Sequence, residues 1–254
     1  MRTVNPILLI PARLGATRLP NKPLADIHGA PMIVHVWRRA CESGLGRVVV
    51  AAGEREIAAA VTAAGGEAVL TDPGLATGSD RIASALAQID PGRKHDSIIN
   101  LQGDLPTLSP ADIRAVMAPF SDPATDIATL VAEITRPEER DDPNVVKAVV
   151  AFRGDRRTGH ALYFSRARVP SGDGPLYHHI GIYAYRRAAL ERFVALPPSG
   201  LERRERLEQL RALEAGMKIA AVRVDSVPLG VDTEADLARA RQILGNANDK
   251  HETR

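Results

Sequence analysis

The chain has 254 residues, with 33 Lys and Arg set against 31 Asp and Glu and a formal charge of +2, a balance too even to mark a nucleic-acid binder by charge. Aromatic residues make up 4% and form no cluster interleaved with cations, so no base-stacking surface is expected. The lone Cys41 excludes an internal disulfide and suits the cytoplasm, and no apolar run reaches bilayer-spanning length; neither membrane insertion nor a signal peptide is read from Met1 to Pro6.

The first predicted element is an apolar strand beginning at Leu8. It runs through Pro11 and Ala12 into a loop, Arg13-Leu14-Gly15-Ala16-Thr17-Arg18-Leu19-Pro20-Asn21-Lys22-Pro23-Leu24, that carries three cations. A strand emptying into a rigid cationic loop is how open α/β proteins hold phosphate at the carboxyl edge of a sheet. Glycine lets backbone N–H groups approach an anion, and Arg13, Arg18 and Lys22 supply charge. Pro20 and Pro23 restrict the backbone on both sides of Lys22. The segment fits neither the P-loop nor the dinucleotide fingerprint. A solvated basic loop after an edge strand is the alternative.

Strands at Val48–Ala52, Ala68–Leu70 and Ile98–Leu101 then alternate with helices at Met32–Glu42, Arg55–Ala64 and Ser79–Gln88. This βαβα order predicts an α/β fold with a mostly parallel central sheet and helices on both faces. The strand ending at Leu101 delivers Gln102-Gly103-Asp104 to the same edge. A carboxylate there suits Mg²⁺, with phosphate and water completing the shell, and Gln102 offers a donor and acceptors. Otherwise Asp104 forms an Asx-turn before a helix capped by Ser109.

Four strand-like runs follow: Asp126–Glu133, Val145–Ala151, Ala161–Phe164 and Ile180–Tyr185. They predict a partly antiparallel lobe, about residues 126–186, inserted in one domain spanning 1–246. In the last of them, period two places His179, Gly181, Tyr183 and Tyr185 on one face, which suits a polyhydroxylated ligand or an ordinary half-exposed strand. Glu208 and Gln209 fall in a predicted helix, Arg203–Leu213, whose charges read as a solvated face. A strand at Lys218–Val224 and a helix at Thr233–Leu244 close the fold, and residues 247–254 read as a frayed tail. Asp232 is a second candidate metal ligand facing Asp104, although Thr233-x-x-Asp236 fits a capping box that would explain it as helix-start chemistry.

Taken together, residues 5–244 closely resemble the 3-deoxy-manno-octulosonate (Kdo) cytidylyltransferases. The motifs run in order: I-P-A-R-x-x-x-T-R-L-P-x-K-P-L-x-D-I at Ile10–Ile27, G-x-P-M-I-x-H-V at Gly29–Val36, G-S-D-R at Gly78–Arg81, N-x-Q-G-D-x-P at Asn100–Pro106 and P-N-x-V-K at Pro143–Lys147. They continue with A-L-Y-F-S-R-A at Ala161–Ala167, H-x-G-I-Y-x-Y-R at His179–Arg186, L-E-Q-L-R at Leu207–Arg211 and G-V-D-T at Gly230–Thr233. The first block is shared more widely among sugar nucleotidyltransferases, and the later ones narrow the match.

The resemblance implies a nucleotide-diphospho-sugar transferase-like fold and transfer of CMP from CTP to Kdo with release of pyrophosphate. It further implies Mg²⁺, a cytoplasmic homodimer and a place in lipopolysaccharide assembly. By position, Pro11, Ala12, Arg13, Lys22, Gln102 and Asp104 meet the nucleotide, with Arg13, Lys22 and Asp104 catalytic. Asp104 and Asp232 hold metal. Arg18, Arg81, Gln102, His179, Tyr183, Glu208 and Gln209 meet the acidic sugar. The chain departs from the family pattern at Leu105, Leu75 and Ala52-Gly53. Two rival functions remain open: transfer to 8-amino-Kdo or another acidic sugar, and a nucleotide-sensing module without chemistry.

Overall fold

The computed structural model describes residues 4–15 and 18–249, with side chains described as far as Gly245. The chain divides into two compact units, residues 1–113 with 228–254, and residues 114–227.

The first unit opens with β1 (Pro6–Ala12), the short strands β2 (Asp26–Ile27) and β3 (Ala30–Pro31), and α1 (Met32–Glu42). Next come β4 (Arg47–Ala52), α2 (Arg55–Ala63), β5 (Glu67–Leu70), α3 (Gly78–Ile89), β6 (Ser97–Leu101) and α4 (Pro110–Ala115). Strands β5, β4, β1 and β6 lie side by side in that order, each adjacent pair parallel. A parallel strand covered on both faces must be apolar throughout rather than alternating. Ile7 to Ile10 in β1 and Ile98, Ile99 and Leu101 in β6 obey this, and the two polar residues of β6, Ser97 and Asn100, are buried with them. Met32, Ile33, Val36 and Ala40 form the buried stripe of α1, at helical spacing. Thr77 caps α3 by accepting from the Asp80 N–H at 3.1 Å. Ser109 does the same for Asp112 at 3.0 Å, so the cap expected there exists and leaves Asp104 outside it.

The second unit holds β7 (Ile127–Glu133), β8 (Lys147–Phe152), β9 (Thr158–Ser165), β10 (Tyr177–Arg186), α5 (Arg187–Ala195), α6 (Gly200–Glu205), α7 (Gln209–Glu214) and β11 (Ile219–Val224). Its strands run β10-β7-β11-β9-β8. Only β7 and β11 are parallel, and the other pairs are antiparallel. The unit extends past the 126–186 read for a lobe because β11 pairs with β7 and the Glu205 carboxylate binds Ser165 and Arg166 on and just beyond β9.

One helix expected at Arg203–Leu213 is two. A capping box between Ser199 and Glu202 starts α6 earlier, at Gly200. Arg206 then takes a left-handed conformation, φ 57°, and breaks the helix. The face expected to be solvated is buried at Gln209, Leu210, Arg211 and Ala212. Arg211 forks onto Glu202 at 2.6 and 2.8 Å, and its guanidinium lies 5.2 Å from the centre of the Phe193 ring.

The chain returns to the first unit with α8 (Glu234–Asp249). Its Leu237, Ala240 and Leu244, with Val231 just before it, pack with Leu19, Ile27 and Met32. The helix therefore covers residues 247–249, expected to be frayed, while 250–254 lie outside the described residues. No helix among the described residues is long and apolar enough to cross a membrane.

Candidate active site

The carboxyl ends of β1 and β6 open into a cleft of about 270 Å³. Pro11, Ala12, Arg13, Gly15 and Lys22 line one side, Gln102, Gly103 and Asp104 another, and Leu75 to Gly78 with Arg81 a third. Ala16 and Thr17 of the first loop lie outside the described residues. The two strand ends approach closely at Gly103, where a Cβ would sit 3.0 Å from the Pro11 carbonyl oxygen. Glycine is needed there to let backbone meet backbone. The first loop is further tied by Leu14 N–H donating to the Glu54 carboxylate at 2.9 Å.

Lys22 opens a single 3-10 turn, Lys22–Leu24. Buried Leu19 and Pro23 on either side anchor it, and Asn21 enters it at φ 55°. Its ammonium donates to Asp104 Oδ2 at 2.8 Å and to Asp232 Oδ1 at 2.9 Å. Arg18 Nη2 reaches Asp232 Oδ2 at 3.2 Å. The two carboxylates converge because Val231 N–H donates to the Asp104 carbonyl at 3.0 Å, joining the G-V-D segment to the end of the Q-G-D segment. Burial alone pulls the Lys22 ammonium towards deprotonation, but Asp104 and Asp232 outweigh it and raise its pKa above the ordinary lysine value.

The capping box expected at Thr233 and Asp236 is present, and it takes the Asp232 N–H but not its carboxylate. Thr233 Oγ1 accepts from Asp236 N–H at 3.2 Å, and the Asp236 carboxylate accepts from the Thr233 and Asp232 N–H groups at 2.9 and 3.1 Å. That pair makes the cap, so the Asp232 carboxylate is left to Lys22 and Arg18.

Arg81, read as a sugar contact, is 2% exposed. Its guanidinium donates to Thr71 Oγ1 at 2.7 Å and to the carbonyls of Asp72 and Pro73 at 3.1 and 3.3 Å. It therefore holds the loop after β5 against the cleft wall, and burial lowers its pKa. Gly53 makes room for it: a Cβ there would lie 3.1 Å from Arg81 Nη1. Leu105, where the chain departs from the expected family pattern, is buried beside Gly230.

Among the described residues no three His, Cys, Asp or Glu side chains gather to hold a metal. Two carboxylates joined to one cation suit Mg²⁺, which keeps waters and takes phosphate oxygens, better than a closed zinc cage.

The other candidates belong to the second unit. His179 Nε2 lies 3.0 Å from Thr129 Oγ1, and its ring packs against Phe164 and Tyr183 with centroids 5.0 and 5.4 Å away. Tyr183 in turn stacks towards Tyr185 at 5.9 Å, so the expected face of β10 is a continuous aromatic one. Burial lowers the His179 pKa to about 3, helped by neighbouring His178, and raises that of Tyr183 well above the usual phenol value. Both side chains are thus neutral at physiological pH. The β7 register skips at Gly181 and Ile182, a bulge that keeps His179 and Tyr183 on one face. Glu208 lies 3.9 Å from Arg211. The Gln209 amide nitrogen is buried without a hydrogen-bond partner, a donor in want of an acceptor.

A family model of cytidylyltransferases matches residues 7–219. The chain is 65% identical over 240 residues to the 3-deoxy-manno-octulosonate cytidylyltransferase of Rhodospirillum centenum, covering 94% of this chain and 93% of that one. The enzyme of the same name from Paramagnetospirillum magneticum is 63% identical over 244 residues, with 96% and 99% covered. The chain belongs to the 3-deoxy-manno-octulosonate cytidylyltransferase family. A solved structure of CMP:2-keto-3-deoxy-manno-octonic acid synthetase complexed with CTP superposes with a TM-score of 0.87 at 38% identity, over 96% of this chain and 99% of that one. The mixed α/β fold is therefore that of its family.

Three residues of this cytidylyltransferase escape a reading of the sequence: Thr129, Thr71 and Glu205. Thr129 sits in an apolar strand, Thr71 follows a short one, and Glu205 lies in a run of arginines. Only the burial of their side-chain partners marks them. Glu205 accepts from Ser165 Oγ at 2.9 Å and from Arg166 N–H at 3.0 Å.

Proposed function

We propose that this cytidylyltransferase transfers CMP from CTP to the anomeric hydroxyl of Kdo, giving CMP-Kdo and pyrophosphate for lipopolysaccharide assembly. The observation that carries the reading is the Lys22 ammonium held by Asp104 and Asp232 at the mouth of a cleft lined by Arg13 and Gln102. A cation and two acids at the same strand ends form a place for a triphosphate and its counterion, and a solvated basic loop would not be pinned this way.

Arg13 and Lys22 stabilise charge that builds on the transferring and leaving phosphates, which is electrostatic catalysis with no covalent intermediate. Pro11 and Ala12 present backbone to the nucleotide, and Gln102 offers an amide at the cleft floor. Asp104 and Asp232 would hold Mg²⁺. A metal held there would supply charge neutralisation on the triphosphate and would lower the pKa of the attacking hydroxyl. In the second unit, His179, Tyr183 and Gln209 offer the sugar neutral donors and acceptors, which suit hydroxyls, with Glu208 beside them. In the first unit, the exposed Arg18 offers a guanidinium that suits a carboxylate, whereas Arg81 is spent on the loop after β5. The enzyme works as a cytoplasmic homodimer, as the family resemblance implies, and light scattering on the purified chain tests the dimer.

The decisive experiment is pyrophosphate release with CTP, Mg²⁺ and a panel of acidic sugars including Kdo and 8-amino-Kdo. Turnover is expected with Kdo and is expected to stop with EDTA. CTP binding without turnover on any sugar would return the chain to a sensing module.

A further inference from the structure

The buried hydroxyl of Thr129 has no place in the chemistry above, yet it touches a residue that does. Thr129 is wholly buried on β7. Its Oγ1 lies 2.8 Å from the Ile182 carbonyl, 3.2 Å from the Ile180 carbonyl and 3.0 Å from His179 Nε2. The two carbonyls flank the bulge at Gly181, where β10 departs from its register with β7. A threonine hydroxyl has one proton to give and lone pairs to receive. Carbonyl oxygens can only accept, and an oxygen pair at 2.8 Å with no proton between them is repulsive. The proton therefore goes to the carbonyls, and the remaining partner, His179 Nε2, must be the donor.

We propose that Thr129 is a positioning residue that fixes His179 as the Nε2–H tautomer and so makes Nδ1 an obligatory hydrogen-bond acceptor. The inference deepens the reading of His179 as a sugar contact and rests on it. Nδ1 then accepts from a hydroxyl of the sugar and cannot pair with its carboxylate, which has no proton to donate at neutral pH. The rings of Phe164 and Tyr183 hold the imidazole plane, while Thr129 sets which edge carries hydrogen. The same hydroxyl ties the bulge, so the histidine's backbone and its proton are placed by one side chain. Tautomer choice set by the bond at the other nitrogen is a general property of histidine.

The test is long-range ¹H–¹⁵N correlation on uniformly ¹⁵N-labelled full-length protein, with the His179 signals assigned by their loss in His179→Gln. Wild type is expected to show a protonated Nε2 and a bare Nδ1. Thr129→Val keeps the shape and removes the acceptor. It is expected to shift population towards Nδ1–H and to raise the KM for Kdo by about ten-fold, the loss of roughly one hydrogen bond, with the KM for CTP unchanged. Thr129→Ser is expected to restore both. A wild-type spectrum with the proton on Nδ1 overturns the proposal without any variant, even if Thr129→Val fails to fold. An unchanged tautomer in a folded Thr129→Val overturns it as well. A tautomer that shifts while the KM for Kdo stays put supports the positioning role and removes His179 from sugar recognition, so the two ideas fail separately.

Discussion

The two compact units solve the problem of holding polar groups in opposite ways. In the first, charge is met by charge at strand ends: Lys22 lies on Asp104 and Asp232, and Arg18 joins Asp232. In the second, the candidate residues sit within a strand and among aromatic rings, and burial strips His179 of charge and keeps Tyr183 protonated. The difference teaches that loops at a sheet edge can keep paired ions because solvent is near, whereas the aromatic face around His179 and Tyr183 holds neutral hydrogen-bonding groups. A phosphate site and a hydroxyl site make matching demands.

The comparison breaks first if the ions of the first unit are dispensable. Lys22→Met should lower kcat for pyrophosphate release by about 100- to 1,000-fold, the scale of losing one preorganised charge partner in a transition state. Normal turnover would remove lysine from the mechanism. The contrast sharpens at the Arg211–Glu202 ion pair of the second unit. Arg211→Met leaves the part-buried Glu202 carboxylate without its fork and should destabilise the fold by about 2 kcal/mol, read from urea unfolding. A loss below about 1 kcal/mol would mean that solvent reaches the pair.

A smaller and more diagnostic effect separates function from capping in the first unit. Asp232→Asn should cost activity about ten-fold or more while leaving the melting temperature alone. Asp236→Asn should do the reverse, losing about 1 kcal/mol of stability with turnover kept. If both variants lose stability equally, Asp232 is part of the cap after all.

The last effect, spread over the pH scale rather than read at one condition, is a stability slope from the second unit. Burial lowers the pKa of His178 to about 4 and that of His179 to about 3, with Lys147 and then Arg136 adding to the burial at His178. Both sit below the unfolded histidine value of about 6.5. The unfolded chain therefore binds more protons than the folded one below that pH. Stability is full above about pH 6.5 and falls as pH drops towards the folded values, each histidine adding a slope that approaches about 1.4 kcal/mol per pH unit. His178→Gln should remove about half of this slope in urea midpoints measured from pH 7 to 5. An unaltered slope would place the acid sensitivity elsewhere.

Much of the first unit was legible because its signals are local. The run Leu8 to Ala12 and the triplet Gln102-Gly103-Asp104 announce strand ends by composition alone, and α1 begins and ends where its apolar spacing says, Met32 to Glu42. Asp232 was ambiguous for a physical reason: the same four residues, Asp232 to Asp236 less one, write both a cap and a ligand, and only side-chain direction tells them apart. The second unit was harder. Nothing in Leu201 to Leu213 marks Arg206 as the break, since no glycine or asparagine stands there to announce a residue at positive φ. Helix α5 went unread, its start hidden in the arginines after β10. Thr129 is invisible because its worth lies entirely in partners 50 and more residues away along the chain.

Gly103 gives the first unit a property of a different kind. Strands β1 and β6 pair directly, and with no side chain between Gly103 and the Pro11 carbonyl their ends can stay as close as the ladder holds them. The floor of the cleft is therefore a main-chain feature, whichever side chains decorate its rims. Leu75, on the rim, can be replaced without altering that floor, and a redesigned rim would inherit the original ruler.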